Sequence, residues 1–230
     1  MQDNPFSPHA PASAAVFVGR EREVDLIFGH IRAVQRGNVA IHGPLGIGKT
    51  RLLRYVSDPD VAAAHGVAEP RFAFLYVDVH SVSPFSPVHF WRRTGRLLSR
   101  LGGGASVLEA PIHALLDRDA IDVTDVEEFL DAVADNDMVL VLLLDEFEWA
   151  MQVDTVDAEA ESRDFLAQLA SLARRAPRVL SLIVASESPL VEAVRVITSW
   201  RGSPFPTVFT SLALRPLERA DRDRLVDRAL

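Results

Sequence analysis

The sequence predicts an α/β protein in which a five-stranded sheet lies between two layers of helices. Three observations support this prediction. Five short apolar runs lack the alternation of a half-exposed strand, which is typical of parallel strands that are covered on both faces. Segments of helical periodicity separate these runs, and a glycine-rich loop joins the first run to the next helix. Alternating strands and helices favour a three-layer, mostly parallel arrangement.

The predicted elements follow one another regularly along the chain. Residues 21–36 have apolar side chains at helical spacing and are followed by Gly37 and Asn38, so a helix is expected there. The strand-like runs are VAIHG at 39–43, FAFLYVDVH at 72–80, MVLVLLLDE at 138–146, VLSLIVAS at 179–186 and VFTSLAL at 208–214. Further helices are predicted over residues 49–56, 90–101, 124–135, 160–175 and 189–200.

Three segments of different composition make up the chain. Residues 1–15 combine three prolines with Ala and Ser and show no apolar period, which predicts a flexible leader. The α/β core is expected over residues 16–216. The last segment, LERADRDRLVDRAL at 217–230, is highly charged and predicts the start of a truncated helical lid.

Charge and composition exclude several classes of function. The net charge of -8 gives no electrostatic reason to bind phosphate backbones or anionic lipid, so no direct nucleic-acid partner is expected. The absence of cysteine excludes disulfides and Cys-ligated metals. The longest apolar run, MVLVLLL at 138–144, is far shorter than the roughly 20 residues of a membrane-spanning helix. A cytoplasmic protein without a membrane partner is therefore expected.

A phosphate-binding loop is predicted at residues 43–50. The sequence GPLGIGKT matches G-x-x-x-x-G-K-[ST] and lies between a predicted strand and a predicted helix. Lysine and arginine total 24, yet Lys49 is the only lysine. Its compact ammonium can reach between β- and γ-phosphates, where the broader guanidinium of arginine fits poorly. Thr50 offers a hydroxyl to Mg²⁺. The predicted nucleotide-binding residues here are Gly43, Pro44, Leu45, Gly46, Ile47, Gly48, Lys49, Thr50 and Arg51.

A pair of carboxylates follows the third apolar run, in VLVLLLDEFEW at 139–149. Phosphate-loop enzymes need a carboxylate for the metal and a group that orients or deprotonates water. Asp145 is the predicted Mg²⁺ ligand, directly or through water, and Glu146 is the predicted catalytic base. Asp78, at the end of the second run, is a weaker candidate for the metal role. A solvated acidic strand end remains an open alternative.

Together these motifs resemble a known family. The order of FVGRERE at 17–23, GPLGIGKT at 43–50, VLVLLLDE at 139–146, LIVASES at 182–188 and SLALRPLERADRDRLV at 211–226 resembles the AAA+ and STAND class of P-loop ATPases. Origin-recognition-like ATPase domains of bacterial regulators are the nearest type. The resemblance implies a P-loop NTPase fold of the ASCE/AAA+ type with strand order 5-1-4-3-2.

The resemblance also implies roles outside the two motifs. Val18, Gly19 and Arg20 would lie near the adenine base, although the same segment can be interpreted as the capped start of a helix. Ser186 would be the polar sensor that faces the γ-phosphate, and Arg201 the arginine brought to a neighbouring subunit. A plain surface serine and a plain surface arginine are the open alternatives.

The function expected from the sequence is that of an ATP-binding and ATP-hydrolysing module of a regulatory switch protein. Its expected cofactors are ATP or ADP with Mg²⁺, and its expected partners are further domains of the same chain and other copies of itself. A guanine-reading N/T-K-x-D motif cannot exist because the only lysine lies in the phosphate loop, which favours adenine. Two alternatives remain: a nucleotide-binding scaffold without turnover, and the motor module of a DNA-handling AAA+ ATPase.

Overall fold

The computed structural model describes residues 17–101, 103–118, 120–152, 155–197 and 205–229. The predicted leader at 1–15 lies outside the described residues. Among the helices that are described, none combines the length and apolar character that a membrane crossing requires.

Five strands form one parallel sheet in the described part of the chain. They are β1 (Asn38–His42), β2 (Phe72–Asp78), β3 (Val139–Asp145), β4 (Leu180–Ser186) and β5 (Phe209–Ala213). The order across the sheet is β2-β3-β4-β1-β5, and every neighbouring pair is parallel. This is the predicted order 5-1-4-3-2 counted from the opposite edge, so the predicted fold class is confirmed.

The α-helices of the described residues occupy the connections between the strands. They are α1 (Glu21–Arg32), α2 (Lys49–Val56), α3 (Pro59–Ala64), α4 (Pro87–Leu98), α5 (Glu109–Leu116), α6 (Val123–Asp135), α7 (Val156–Arg175), α8 (Leu190–Ala193) and α9 (Arg219–Ala229). Short 3₁₀ turns span Val79–Ser81, Gly103–Leu108, Phe147–Met151, Val194–Val196 and Phe205–Val208. The sequence did not predict α3 or α5.

The strands separate two apolar cores. Along β3, Val139, Val141 and Leu143 pack on one face with side chains of α1, α2 and α3. The alternate residues Leu140, Leu142 and Leu144 pack on the other face with α4 to α7. Because successive side chains of a strand point to opposite faces, a run that is apolar throughout serves both cores.

The first predicted helix is too long. We expected it to reach residue 36, but α1 ends at Arg32 and the backbone is extended at Ala33. The N–H of Gly37 donates to the carbonyl of His30 at 3.1 Å, so the chain turns back towards β1. Val34, which the helical pattern included, is 80% exposed as a result.

Other helix boundaries differ because of capping. The helix predicted at 90–101 is α4, which begins at Pro87 because the Ser86 hydroxyl accepts the N–H of His89 at 3.1 Å. The helix predicted at 160–175 begins at Val156 for the same reason, with Thr155 as the cap. Such hydroxyl caps satisfy N–H groups that a helix start leaves without partners.

The helix predicted over 189–200 is also wrong for its described part. There α8 ends at Ala193 and is followed by a 3₁₀ turn at Val194–Val196.

The edge strand β5 is less buried than the apolar pattern predicts. Thr210 and Ser211 are exposed, whereas β3 and β4 are buried throughout. Position at the edge does not by itself cause this exposure, because β2 at the opposite edge is largely buried. The four remaining strands have the burial expected of a two-sided core or nearly so.

Candidate active site

The predicted phosphate loop connects β1 to α2 at the carboxyl edge of the sheet. Gly46 and Gly48 have φ of 78° and 102°, in the left-handed region that glycine adopts without a steric penalty. Gly48 caps the start of α2, and a Cβ on Gly43 would lie 3.0 Å from the carbonyl oxygen of Leu214. The glycines therefore permit a tight backbone loop at a helix start, where N–H groups converge.

Lys49 is buried at the first position of α2. It is 7% exposed, and its Nζ donates to the carbonyl oxygens of Gly43 at 2.7 Å and Pro44 at 3.3 Å. In the described structure no carboxylate forms an ion pair with it. A buried ammonium held only by the carbonyls of its own loop carries positive charge that an anion could neutralise.

Asp145 ends β3 at the same edge and is 1% exposed. Its Oδ2 accepts the hydroxyl of Tyr76 at 2.7 Å, and its Oδ1 accepts the N–H of Glu146 at 3.1 Å. Tyr76 belongs to the neighbouring strand β2, where Asp78 is in register with Asp145. Both oxygens of the predicted metal ligand therefore have fixed positions.

The sequence analysis missed Tyr76. It lies two residues before the end of β2, on the same strand face as Asp78, so a hydroxyl at this position was a detectable signal. Burial, followed by the charge and hydrogen bond of Asp145, raises the pKa of Tyr76, while Arg54 acts in the opposite direction. The guanidinium of Arg54 lies 4.8 Å from the centre of its ring. The phenol stays protonated and acts as the donor.

Glu146 follows the strand in a left-handed conformation, with φ 52° and ψ 44°. Such a conformation is uncommon for a residue other than glycine and costs on the order of 1–3 kcal/mol. Burial and then the charge of Asp145 raise the pKa of Glu146, whereas Lys49 lowers it. The carboxylate is therefore within electrostatic reach of the phosphate-loop lysine, although β4 separates their strands.

The carboxyl edge carries a surplus of negative charge. Asp78 Oδ1 and Glu148 Oε2 are buried and have no hydrogen-bond partner within the described part of the chain, and burial raises the pKa of Glu148. No group of three acidic or histidine side chains in the described residues is placed to hold a metal by itself. This fits Mg²⁺, which usually takes one or two carboxylates and completes its shell with water and phosphate oxygens.

The remaining loop residues lie around this centre. Thr50 and Arg51 are half-buried in the first turn of α2, and Ile47 packs partly against the core. Leu45, at the tip of the loop, is 78% exposed. The structure therefore brings the whole predicted loop, including Thr50, to the edge where Asp145 ends β3.

The segment before α1 contacts the phosphate loop. Val18 and Arg20 are buried, and the Arg20 guanidinium donates to the Ile47 carbonyl at 3.3 Å and pairs with Glu23 at 3.0 Å. Gly19 has φ 76°, and a Cβ there would lie 2.6 Å from the Cβ of Asp221 in α9. The segment therefore leads into α1 and contacts both the phosphate loop and α9. Its contact with the adenine base stays a prediction.

Ser186 ends β4, next to the phosphate loop. Its carbonyl accepts the N–H of Gly43 at 3.3 Å, and it is in register with His42 of β1. The hydroxyl is buried and donates to the carbonyl of Ser188 at 2.8 Å. Ser186 is therefore at the predicted place, with its hydroxyl occupied by its own turn. Arg201 lies outside the described residues.

Solved structures of similar shape include two ORC proteins and a Walker-type ATPase. The ORC2 protein of Aeropyrum pernix matches 99% of this chain and 55% of its own, at 15% identity and a TM-score of 0.67. A Walker-type ATPase of Pyrococcus abyssi matches 91% of this chain and 57% of its own, at 12% identity and a TM-score of 0.61. The Aeropyrum pernix ORC1 protein, solved in complex with DNA, matches 93% of this chain and 50% of its own, at 20% identity and a TM-score of 0.55.

At these identities the likeness establishes the fold alone, and the chain spans about half the length of the proteins it resembles. No curated protein matches the sequence. The family model of the AAA ATPase domain, however, matches residues 16–184, which include the segment before α1, the phosphate loop and the Asp145–Glu146 pair. The chain therefore belongs to the AAA ATPase domain family and is an ATP-binding module.

Proposed function

We propose that the chain hydrolyses ATP with Mg²⁺ and acts as the nucleotide-dependent switch of a larger regulatory protein of the STAND/AAA+ type. The observation that carries the proposal is geometric: the loop with Lys49, which follows β1, and the pair Asp145–Glu146, at the end of β3, lie at the same edge of the sheet. A phosphate-binding cation and a carboxylate base in one place are what triphosphate hydrolysis requires.

Each side chain has a proposed task in hydrolysis. Lys49 and the N–H groups of the loop bind the phosphates, and the start of α2 adds a partial positive charge. Thr50 and Asp145 would hold Mg²⁺, which would offset the negative charge of the phosphates. Tyr76 keeps Asp145 in one orientation. Glu146 orients the attacking water and accepts its proton, and its raised pKa suits a base at neutral pH.

Contacts between the loop and α9 support the switch. Arg20 donates to the Ile47 carbonyl of the loop, and its neighbour Gly19 packs directly on Asp221 of α9. Arg224 of α9 pairs with Asp221 and lies 3.8 Å from Glu21 of α1. A change in the conformation of the phosphate loop on hydrolysis would therefore be transmitted to α9 through Arg20 and Gly19. The proposed ligands of this switch are ATP and ADP, which would favour different positions of α9.

The test compares phosphate release and nucleotide affinity in wild type, Glu146→Gln and Glu187→Gln. Glu187 is an exposed carboxylate of the same edge, and its charge also acts on Glu146, so it is a matched control. We expect Glu146→Gln to keep ATP affinity and to lose turnover by at least about 100-fold, which is the range for a lost general base. Glu187→Gln should remain active.

Two results would change the proposal. ATP binding by wild type without turnover above background would favour a non-hydrolysing scaffold, for which the occupied Ser186 hydroxyl is the supporting observation. Equal loss of turnover in both variants would show that the charge of the edge, rather than Glu146, matters. A DNA motor is less well supported because the net charge is -8.

A further inference from the structure

A second concave site lies at the amino edge of the sheet, at the opposite end of the strands from the phosphate loop. It is an open groove of about 800 Å³ between the end of α1 and the starts of β2, β3 and β4. We call it the arginine groove. Its walls carry Arg32, Arg36, Arg71 and Arg178, and its floor includes Phe72 and Met138.

Positive charge in this groove is poorly compensated. Among the described residues that line it, Asp137 is the only carboxylate. It lies 3.8 Å from Arg71, and both side chains are more than half exposed, so the pair contributes little. Four arginines around one aspartate are unexpected in a chain whose net charge is -8.

The arginines have donors to spare. Arg36 and Arg71 lie 5.5 and 6.0 Å from the centre of the same Phe72 ring. Arg36 donates through one terminal nitrogen to the Ala33 carbonyl, while its Nε is buried without a partner among the described residues. Burial, and then the charge of Arg71, lowers the pKa of Arg36. A guanidinium has five N–H donors, so these contacts leave capacity for further acceptors.

Helix ends explain only part of this cluster. A cation in the last turn of a helix is favoured by the helix dipole, and Arg32 is such a residue in α1. Arg71 and Arg178 lie in the segments that lead into β2 and β4, outside any helix. Helix ends favour nearby cations whether or not these belong to a helix, and here they leave four positive charges beside one carboxylate among the described residues that line the groove.

We propose that the arginine groove binds an acidic peptide segment of a partner protein. Guanidinium groups fit carboxylates through paired N–H donors. Val34, which lines the groove and is 80% exposed, provides a contact for an apolar side chain between the acidic ones. A short peptide senses only charge within a Debye length of about 8 Å, so the acidic remainder of the chain does not repel it.

The same features disfavour nucleic acid. An exposed apolar side chain such as Val34 contributes nothing to binding a phosphate backbone, and the net charge of -8 opposes the approach of a long polyanion. Nucleic acid is therefore the competing occupant that the experiment must distinguish.

The experiment measures fluorescence anisotropy of a short labelled peptide in which Glu and Leu alternate. Its neutral counterpart has Gln in place of Glu, and the competing probe is a labelled single-stranded oligonucleotide. All titrations contain excess Mg-ATP, so that the phosphate loop is not the site observed. The test variant is Arg71→Gln with Arg178→Gln. The matched control is Arg93→Gln with Arg96→Gln, which removes two exposed arginines from α4.

The proposal expects the acidic peptide to bind wild type and to lose at least about tenfold in affinity in the test variant. The control variant should bind the acidic peptide like wild type, and the neutral peptide should bind wild type weakly. These two comparisons distinguish binding in the groove from unspecific attraction between charges. Absence of binding, equal loss in both variants, or tighter binding of the oligonucleotide would each overturn it. Thermal midpoints of both variants close to that of wild type establish that they are folded.

Discussion

The two edges of the sheet carry opposite charge and use different cations. At the carboxyl edge Asp78, Asp145 and Glu146 lie near a single lysine. Among the described residues that line the groove at the amino edge, four are arginines and one is an aspartate. A phosphate loop has room for one compact ammonium, whereas an open groove accepts broad, planar guanidinium groups. The chain's one lysine therefore lies in the loop, where a compact ammonium fits better than a guanidinium.

Chain direction contributes to this difference. In a parallel sheet all strands end at one edge, and the helices that follow them begin there, so N–H groups collect at the carboxyl edge. Helices end near the amino edge, where cations are favoured. This background makes the phosphate site predictable from fold class and favours cations at the amino edge, but it does not specify a groove lined by four arginines.

The largest expected effect comes from replacing the lysine of the carboxyl edge by arginine, which is the cation of the amino edge. Lys49→Arg retains the charge but places a wider group in a buried loop position that is 7% exposed. We expect ATP affinity to fall at least about 100-fold, or about 2.7 kcal/mol, in a direct binding titration. The variant Arg71→Gln with Arg178→Gln should keep wild-type ATP affinity. Comparable ATP affinity in wild type and Lys49→Arg would refute the distinction between the two edges.

A smaller effect is expected from the hydrogen bond between Tyr76 and Asp145. Tyr76→Phe removes the donor to Oδ2 and leaves a carboxylate that is 1% exposed with one oxygen unpaired. A hydrogen bond to a charged group contributes about 1.5–3 kcal/mol, so the free energy of unfolding should fall by this amount in urea titrations. Tyr55→Phe is the control, since Tyr55 stacks on Phe17 through its ring. Equal losses of unfolding free energy in Tyr76→Phe and Tyr55→Phe would show that the hydrogen bond from Tyr76 to Asp145 adds no stability of its own.

The smallest expected effect is the pH dependence of stability that Glu146 causes. Its pKa is raised above the ordinary 4.5, so the protonated form favours the folded state and this stability is lost as pH rises through the folded pKa. Glu146→Gln should therefore stabilise the nucleotide-free protein at neutral pH, by an amount that shrinks as pH falls towards 4.5. Urea midpoints of both proteins across this range measure the difference. A gain that is independent of pH would contradict the assignment to the carboxyl.

Sequence reasoning predicted the carboxyl edge better than the amino edge, for a physical reason. The loop and the pair Asp145–Glu146 are contiguous motifs, and apolar runs such as β3 report burial residue by residue. The arginine groove is formed by segments that are far apart in the chain, between Arg32 and Arg178. No local sequence pattern predicts it.

The same limit applies within the predicted site. The hydrogen bond from Tyr76 to Asp145 depends on the register of β2 against β3, and the exposure of β5 depends on which other elements pack over it. Neither is encoded in a single run of residues. The apolar pattern did not predict the early end of α1, because a backbone hydrogen bond from the Gly37 N–H to the His30 carbonyl turns the chain before the pattern ends.

The most direct test of the central claim, that the carboxyl edge is a Mg-ATP site, is the thermal unfolding of wild type and Lys49→Ala with excess Mg-ATP and with excess Mg-GTP. At about 100 times Kd, binding contributes about 2.7 kcal/mol, which raises the midpoint of a domain of this size by roughly 5–10 °C. The account predicts this rise for wild type with Mg-ATP and none for Lys49→Ala. An equal rise in both proteins would place the nucleotide elsewhere and contradict the account.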